Sequence, residues 1–247
     1  MKEVATLARK DFKLLMLDKT SLIVTFALPL ILIALIGSVF SSSFPAVGIS
    51  SYDYAFSKVM FWGLVGGAAS SVTSIAIEKN SGTIVRLQIS PITKFQMLLG
   101  KNIACMAVMI MSSVFSWLFG TILFDIKTNS YLLLLCVFLS NGIFLAGFMT
   151  FLGNFVSTER AAGALSWSVL QILACFGGIM FPITIMPAWM VSMTNLNPLT
   201  WAVKALELAL WKNVAFAEIL LPLGIPFLAG IVFFSLSAYL FRWNSEK

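Results

Sequence analysis

Apolar runs of roughly 20 residues alternate along this chain with short polar stretches, and six of them can be drawn, at 20–40, 55–77, 98–124, 131–156, 161–181 and 219–241. Unbroken runs of that length predict helices rather than alternating strands. Lipid offers no partner to exposed backbone groups, so a spanning segment must satisfy its own hydrogen bonds. The pattern therefore predicts an all-α integral membrane fold of six transmembrane helices. It forms one domain over 1–247, with spans one to four in 20–156 and spans five and six in 161–241. Residues 1–19 read differently. Val4, Leu7, Ala8, Phe12 and Leu15 fall on one side of a helical wheel and Lys2, Glu3, Thr6, Arg9, Lys10 and Lys13 on the other, which predicts an amphipathic interfacial helix. Asp11 breaks the pattern by projecting into the apolar arc, where it needs a partner that periodicity does not name. The basic-then-apolar start also resembles a signal peptide. Its apolar part is too long and lacks a small-residue cleavage site, so it is expected to be retained.

Local exceptions sharpen this picture. Pro29 in the first span, and Pro182 and Pro187 at the end of the fifth, predict kinks or breaks. Pro222 and Pro226 are placed in the first turns of the sixth span, where proline is tolerated. Small residues gather at Gly63, Gly66, Gly67, Ala68, Ala69, Ser70 and Ser71 and again at 161–164, as close helix packing requires. Trp62, Gly63, Gly66 and Gly67 offer a candidate surface for a second subunit, with packing inside one subunit as the plainer reading.

Composition agrees with a membrane protein: 60% of residues are hydrophobic, 11% are charged and the mean hydropathy is +0.97. The net charge of +6 comes from lysines and arginines beside the spans, not from a basic face suited to nucleic acid. With the amino terminus inside, Lys2, Arg9, Lys10, Lys13, Lys19, Lys79, Arg86, Lys94, Lys101, Arg160, Arg242 and Lys247 lie inside and only Lys58, Lys127, Lys204 and Lys212 outside, so both termini are expected in the cytoplasm. The chain has no histidine, and its cysteines (Cys105, Cys136, Cys175) all fall in expected spans. Catalysis is not expected of this chain, and no catalytic, metal or cofactor-binding residue is assigned.

The most polar stretch between spans, residues 78–91, carries helix start and stop signals. Thr83 can cap a short helix on which Ile84 and Leu87 share a face, and Ser90-Pro91 should end it. Thr93 and Gln96 have the spacing of a capping box that would start the third span's helix. An ordinary solvated loop is the plainer reading.

The combination of Glu78, Gly82-Thr83, Leu87, Ser90-Pro91 and Gly100-Lys101 resembles the cytoplasmic signature of the type-2 membrane subunits of ATP-binding cassette exporters. The resemblance runs over the whole chain. It implies that a coupling helix around Glu78, Gly82, Thr83, Ile84, Arg86, Leu87, Ser90 and Pro91 docks into an ATPase subunit. Met186-Pro187-Ala188-Trp189 and Asn197-Pro198-Leu199-Thr200-Trp201 resemble the stretch where that family folds re-entrant outer helices between spans five and six, which singles out Pro187, Trp189, Asn197, Pro198 and Trp201. Val85 departs from the family, which commonly has an acidic residue there, as do Asn80 and Ser81, where a charge is more usual.

No G-x-x-x-x-G-K-[ST] phosphate loop is present, so ATP and Mg are expected on a separate ATPase, two copies of which would serve two permease subunits, alike or different, in lipid. The resemblance implies outward transport of a small amphipathic drug-like or lipid-like molecule across a plasma or bacterial inner membrane by alternating access. Polysaccharide or peptide cargo is an alternative. An ion-coupled secondary transporter is another, and it needs ionisable residues inside the spans, where they are scarce; Glu78, Glu159 and Glu218 lie at span ends. Glu207 with Lys204, or Glu159 with Arg160, could be drawn as a catalytic pair, but each reads more simply as an ion pair.

Overall fold

The computed structural model describes residues 2–39, 51–180, 183, 186–210, 216–241 and 243. Its elements are helices: α1 (Lys2–Leu17), α2 (Lys19–Val39), α3 (Ser51–Asn80), α4 (Thr83–Gln88), α5 (Lys94–Phe124), α6 (Tyr131–Leu152), α7 (Glu159–Phe176), α8 (Ala188–Thr194), α9 (Pro198–Leu210) and α10 (Phe216–Leu240), with one 3-10 turn at Gly153–Phe155. Among the described residues, five segments are long and apolar enough to cross a bilayer: Ser21–Val39, Tyr52–Asn80, Lys94–Phe124, Tyr131–Phe155 and Ala217–Leu240.

The stretch expected as the fifth span is a helix, yet it falls outside that group. Glu159, Arg160 and Gln171 dilute its apolar character, and it stops at Phe176 because Gly177 and Gly178 follow, Gly178 with a φ of 73°. Prolines also behave differently from expectation. α2 runs unbroken through Pro29, which is buried against Gly63. Pro187 caps the start of α8, and Pro182 lies outside the described residues. α10 begins at Phe216, three residues before the expected start, so Pro222 and Pro226 stand inside the helix rather than in its first turns.

Where hydrophobic burial adds little between helices in lipid, close backbone approach and polar contacts must hold them together. α3 is the central element, and its glycines are spent on its own neighbours. A Cβ on Gly63 would meet Pro29 Cγ at 3.0 Å, one on Gly66 would meet Thr25 Oγ1 at 2.9 Å, and one on Gly67 would meet Met109 Cγ at 2.7 Å. Trp62 stacks on Trp167 with ring centroids 6.3 Å apart. The surface considered for a second subunit is thus packed against α2, α5 and α7 of the same chain. α6 and α10 come closer still, because a Cβ on Gly147 would collide with the Gly230 carbonyl and one on Gly230 with the Ile143 carbonyl at 2.6 Å.

A chain of buried polar groups joins four helices: Ser71 Oγ lies 3.2 Å from Thr150 Oγ1, Thr150 donates to Asn102, Ser237 donates to the Thr150 carbonyl at 3.0 Å, and Asn154 Nδ2 donates to Ser237 Oγ at 2.8 Å. Away from water each bond satisfies a group that would otherwise be costly to bury.

Charges collect toward the two ends of α3. Lys58 bonds Glu207 of α9 at 2.7 Å near one end, and Glu78 sits in a cluster near the other, separated by about 30 Å of helix. That separation equals the hydrocarbon thickness of a bilayer.

A candidate docking segment and the charge cluster behind it

The segment 78–91 folds as helix end, turn, short helix and break. Gly82 takes a φ of 68°, which reverses the chain after α3 at no steric cost. α4 then begins at Thr83 itself, one position later than a cap would stand, with Ser81 Oγ 2.9 Å from Thr83 Oγ1. Ser90 closes it by donating its backbone amide and its hydroxyl to the Leu87 carbonyl, at 3.2 and 2.6 Å. Thr93 and Gln96 form a reciprocal capping box at the start of α5.

The short apolar face points inward. Ile84 is 3% exposed in a cluster with Leu7, Ile75, Met97, Leu98 and Phe241, and Leu87 packs against it. A six-residue helix cannot hold itself together in water, so packing on the bundle end keeps it folded. Gly82, Gln88, Pro91 and above all Ile89, which is 84% exposed, are left outward. The side chain of Arg86 lies outside the described residues.

Glu78 is turned away from that outer surface. Its carboxylate is buried at the end of α3 between Lys10 of α1 and Lys101 of α5, each 2.9 Å away. Lys101 reaches Asp11 at 3.3 Å and donates to Ser74 Oγ at 2.8 Å, and Lys10 also lies 3.3 Å from Asp11. Lys101 is therefore the partner that the apolar arc of α1 left unnamed. Partial burial pulls the Lys10 ammonium down, but the Glu78 carboxylate and then Asp11 more than offset this, leaving it above the usual lysine value.

α1 reaches this cluster by crossing α5 at Gly100, where a Cβ would lie 2.9 Å from Leu7 Cβ and 3.3 Å from the Val4 carbonyl oxygen. Gly100 and Lys101 thus act together: one lets α1 approach and the other binds its buried carboxylate. Two further lysines have roles that charge counting missed. Lys79 donates to the carbonyls of Gly153 and Val156 at 3.0 and 3.1 Å, beyond the end of α6, and Lys94 donates to that of Phe241 at 2.8 Å, just past α10. The available signal was a lysine just outside each expected span, Lys79 two residues past 77 and Lys94 four before 98.

The opposite end holds the other singled-out residues. Pro187 caps α8, and Pro198 begins α9. Asn197 accepts from the Leu199 amide at 3.0 Å and donates to the Leu173 carbonyl of α7 at 2.7 Å, so it both starts α9 and ties it down. Trp201 Nε1 donates to the Asn195 carbonyl at 2.9 Å, and Trp189 packs edge-on to Phe176. Glu207 pairs with Lys58 rather than Lys204, whose ammonium lies 4.4 Å from the Trp201 ring centroid. Trp211 lies outside the described residues. Among the described residues no group of His, Cys, Asp and Glu could hold a metal ion.

Proteins named probable multidrug ABC transporter permease YbhR, from Escherichia coli strain K12 and from Escherichia coli O157:H7, are each 25% identical to this chain over 127 residues, covering 51% of it and 34% of the relative. The chain spans about a third of the length of the curated relatives it matches. The model of the family described as ABC-2 type transporter matches residues 2–211. Over most of its length, then, this helical membrane chain belongs to the ABC-2 type transporter family.

Proposed function

We propose that the chain is the membrane-spanning permease subunit of an exporter driven by a separate ATPase, with α7 completing six spans, α8 and α9 re-entrant from the outer face, and both termini in the cytoplasm. The observation that carries this reading is α4: a short helix hung from the end of α3, seated on the bundle through Ile84 and Leu87, with Gly82, Gln88, Ile89 and Pro91 facing outward. A push on that element is transmitted to α3 and α5 on either side and, through Glu78 and Lys101, to α1. Packed helices move as rigid units, so such a push shifts the bundle between two arrangements rather than deforming it smoothly. Two permease subunits and two ATPases make up the proposed assembly, with ATP and Mg held by the ATPases. The proposed cargo is a small amphipathic, drug-like or lipid-like molecule, and the word multidrug in the relatives' name supports its drug-like form.

The test separates docking from folding. Ile89→Asp should abolish copurification with the ATPase while leaving thermal unfolding of the purified chain unchanged, since Ile89 is exposed. Ile84→Asp should lower thermal stability whether or not the ATPase is present. Undiminished copurification of the Ile89→Asp chain would refute docking at this surface.

A further inference from the structure

At the end of α3 that carries Glu78, a half-open cavity of about 640 Å³ is lined by α1, α2, α3, α5 and α7. Its volume is that of a small-molecule site. It is long, following one face of α3 from Gly66 to Glu78, about 18 Å of helix. The two ends differ in chemistry. One end is formed by Gly66, Val24 and the Trp167 ring, the two side chains partly exposed, and Leu14, Leu15 and Ile77 add apolar surface to the lining. The mouth carries Asp11, Asp18, Glu78 and Glu159 against one cation, Lys101.

Lys101 offers no positive charge to a ligand, because Asp11 and Glu78 bracket it at 3.3 and 2.9 Å. Asp18 and Glu159 stay exposed at the mouth, and among the described residues no salt bridge engages either of them. Asp18 accepts only the Ser21 amide, at 3.1 Å, as a helix cap. Asp11 and Glu78 are balanced by Lys101 and by Lys10 beside it, which leaves Asp18 and Glu159 as net negative charge in a lining otherwise made of apolar and hydroxyl side chains. An anionic head would meet repulsion there at low dielectric, and a cationic head would find two carboxylates free of salt bridges.

We propose that this cavity is the cytoplasmic-side binding site for an amphipathic organic cation, its charged head between Asp18 and Glu159 and its apolar body along α3 toward Trp167. The assignment rests on the transport reading above and names the substrate class for it. Lys101 and Glu78 line this chamber, so an occupant touches the cluster that links α1, α3 and α5.

The experiment uses tetraphenylphosphonium and tetraphenylborate, which share a shape and differ in charge. Binding to the full chain with its ATPase in nanodiscs, without nucleotide and corrected for empty nanodiscs, should favour the phosphonium. The Asp18→Asn, Glu159→Gln double variant should weaken phosphonium binding about tenfold, and Glu159→Lys should weaken it further while admitting the borate. Asn caps a helix as well as Asp, so the double variant keeps the fold. Equal wild-type affinity for the two probes, or an unchanged phosphonium affinity in the double variant, overturns the proposal. Absence of charge preference with ATP-driven transport of other compounds intact would refute the cation assignment alone. Charge-selective binding without ATP-driven movement in inverted vesicles would instead refute the exporter reading and uphold the site.

Discussion

A lysine 2% exposed between two carboxylates holds three helices together only while every charge is present. Lys101→Gln leaves the buried Asp11 and Glu78 with the half-exposed Lys10 as their remaining cation, so the cost is at most the roughly 3–5 kcal/mol of breaking a buried pair. The expected outcome is a lower unfolding temperature of the detergent-solubilised chain. Apolar replacement of Lys10, Asp11, Glu78 and Lys101 together should recover much of the loss, whereas an unchanged unfolding temperature in Lys101→Gln would show that the cluster does not secure α1. Lys10 adds a pH dependence of known sign. Because its pKa is raised in the folded chain by Glu78 and Asp11, against the opposing pull of its own burial, its contribution is complete below the usual lysine pKa and is lost as pH rises through the higher folded value. Coupling between Lys10→Met and Glu78→Gln, followed by thermal unfolding, should stay constant from pH 6 to pH 9 and disappear only in strong alkali. Coupling that faded near neutrality would contradict the assignment. At this scale the sequence was only half readable: Asp11 declared itself misplaced on an apolar arc, but its partner is 90 positions away and no local period points to it.

Helices in this bundle are spaced by what their contact positions lack. At Gly147 the neighbour is the backbone of α10, which has no side chain to move aside, so Gly147→Leu should prevent stable accumulation of the chain. Gly163 has nothing within 4 Å of its Cβ position, and Gly163→Leu should accumulate at the wild-type level. Equal accumulation of the two variants would mean that the α6–α10 crossing does not limit packing. Element type and order were legible from the runs of apolar residues, because a helix in lipid satisfies its own backbone and leaves a continuous signal. The direction of the α4 face was not. Ile84 and Leu87 share a side in any helix, and only the positions of Leu7, Met97 and Phe241 decide that this side turns inward. The fifth span was read to 181 because the apolar run continues past the backbone break at Gly177-Gly178.

For the whole molecule, two charged ends are set about a bilayer thickness apart on α3, and on the proposed reading α4 marks the end at which outside force enters. The same end encloses the cavity with the acidic mouth, so cargo and drive would meet at one cluster of charges. Sidedness of residues 78–91 is the premise on which that arrangement depends. The most direct measurement places a single cysteine at Gln88, which is exposed, in a chain whose Cys105, Cys136 and Cys175 have been replaced, and treats intact cells with a membrane-impermeant maleimide. The account predicts no labelling until the membrane is opened, and full labelling afterwards. Labelling in intact cells would place α4 on the outer surface and contradict it.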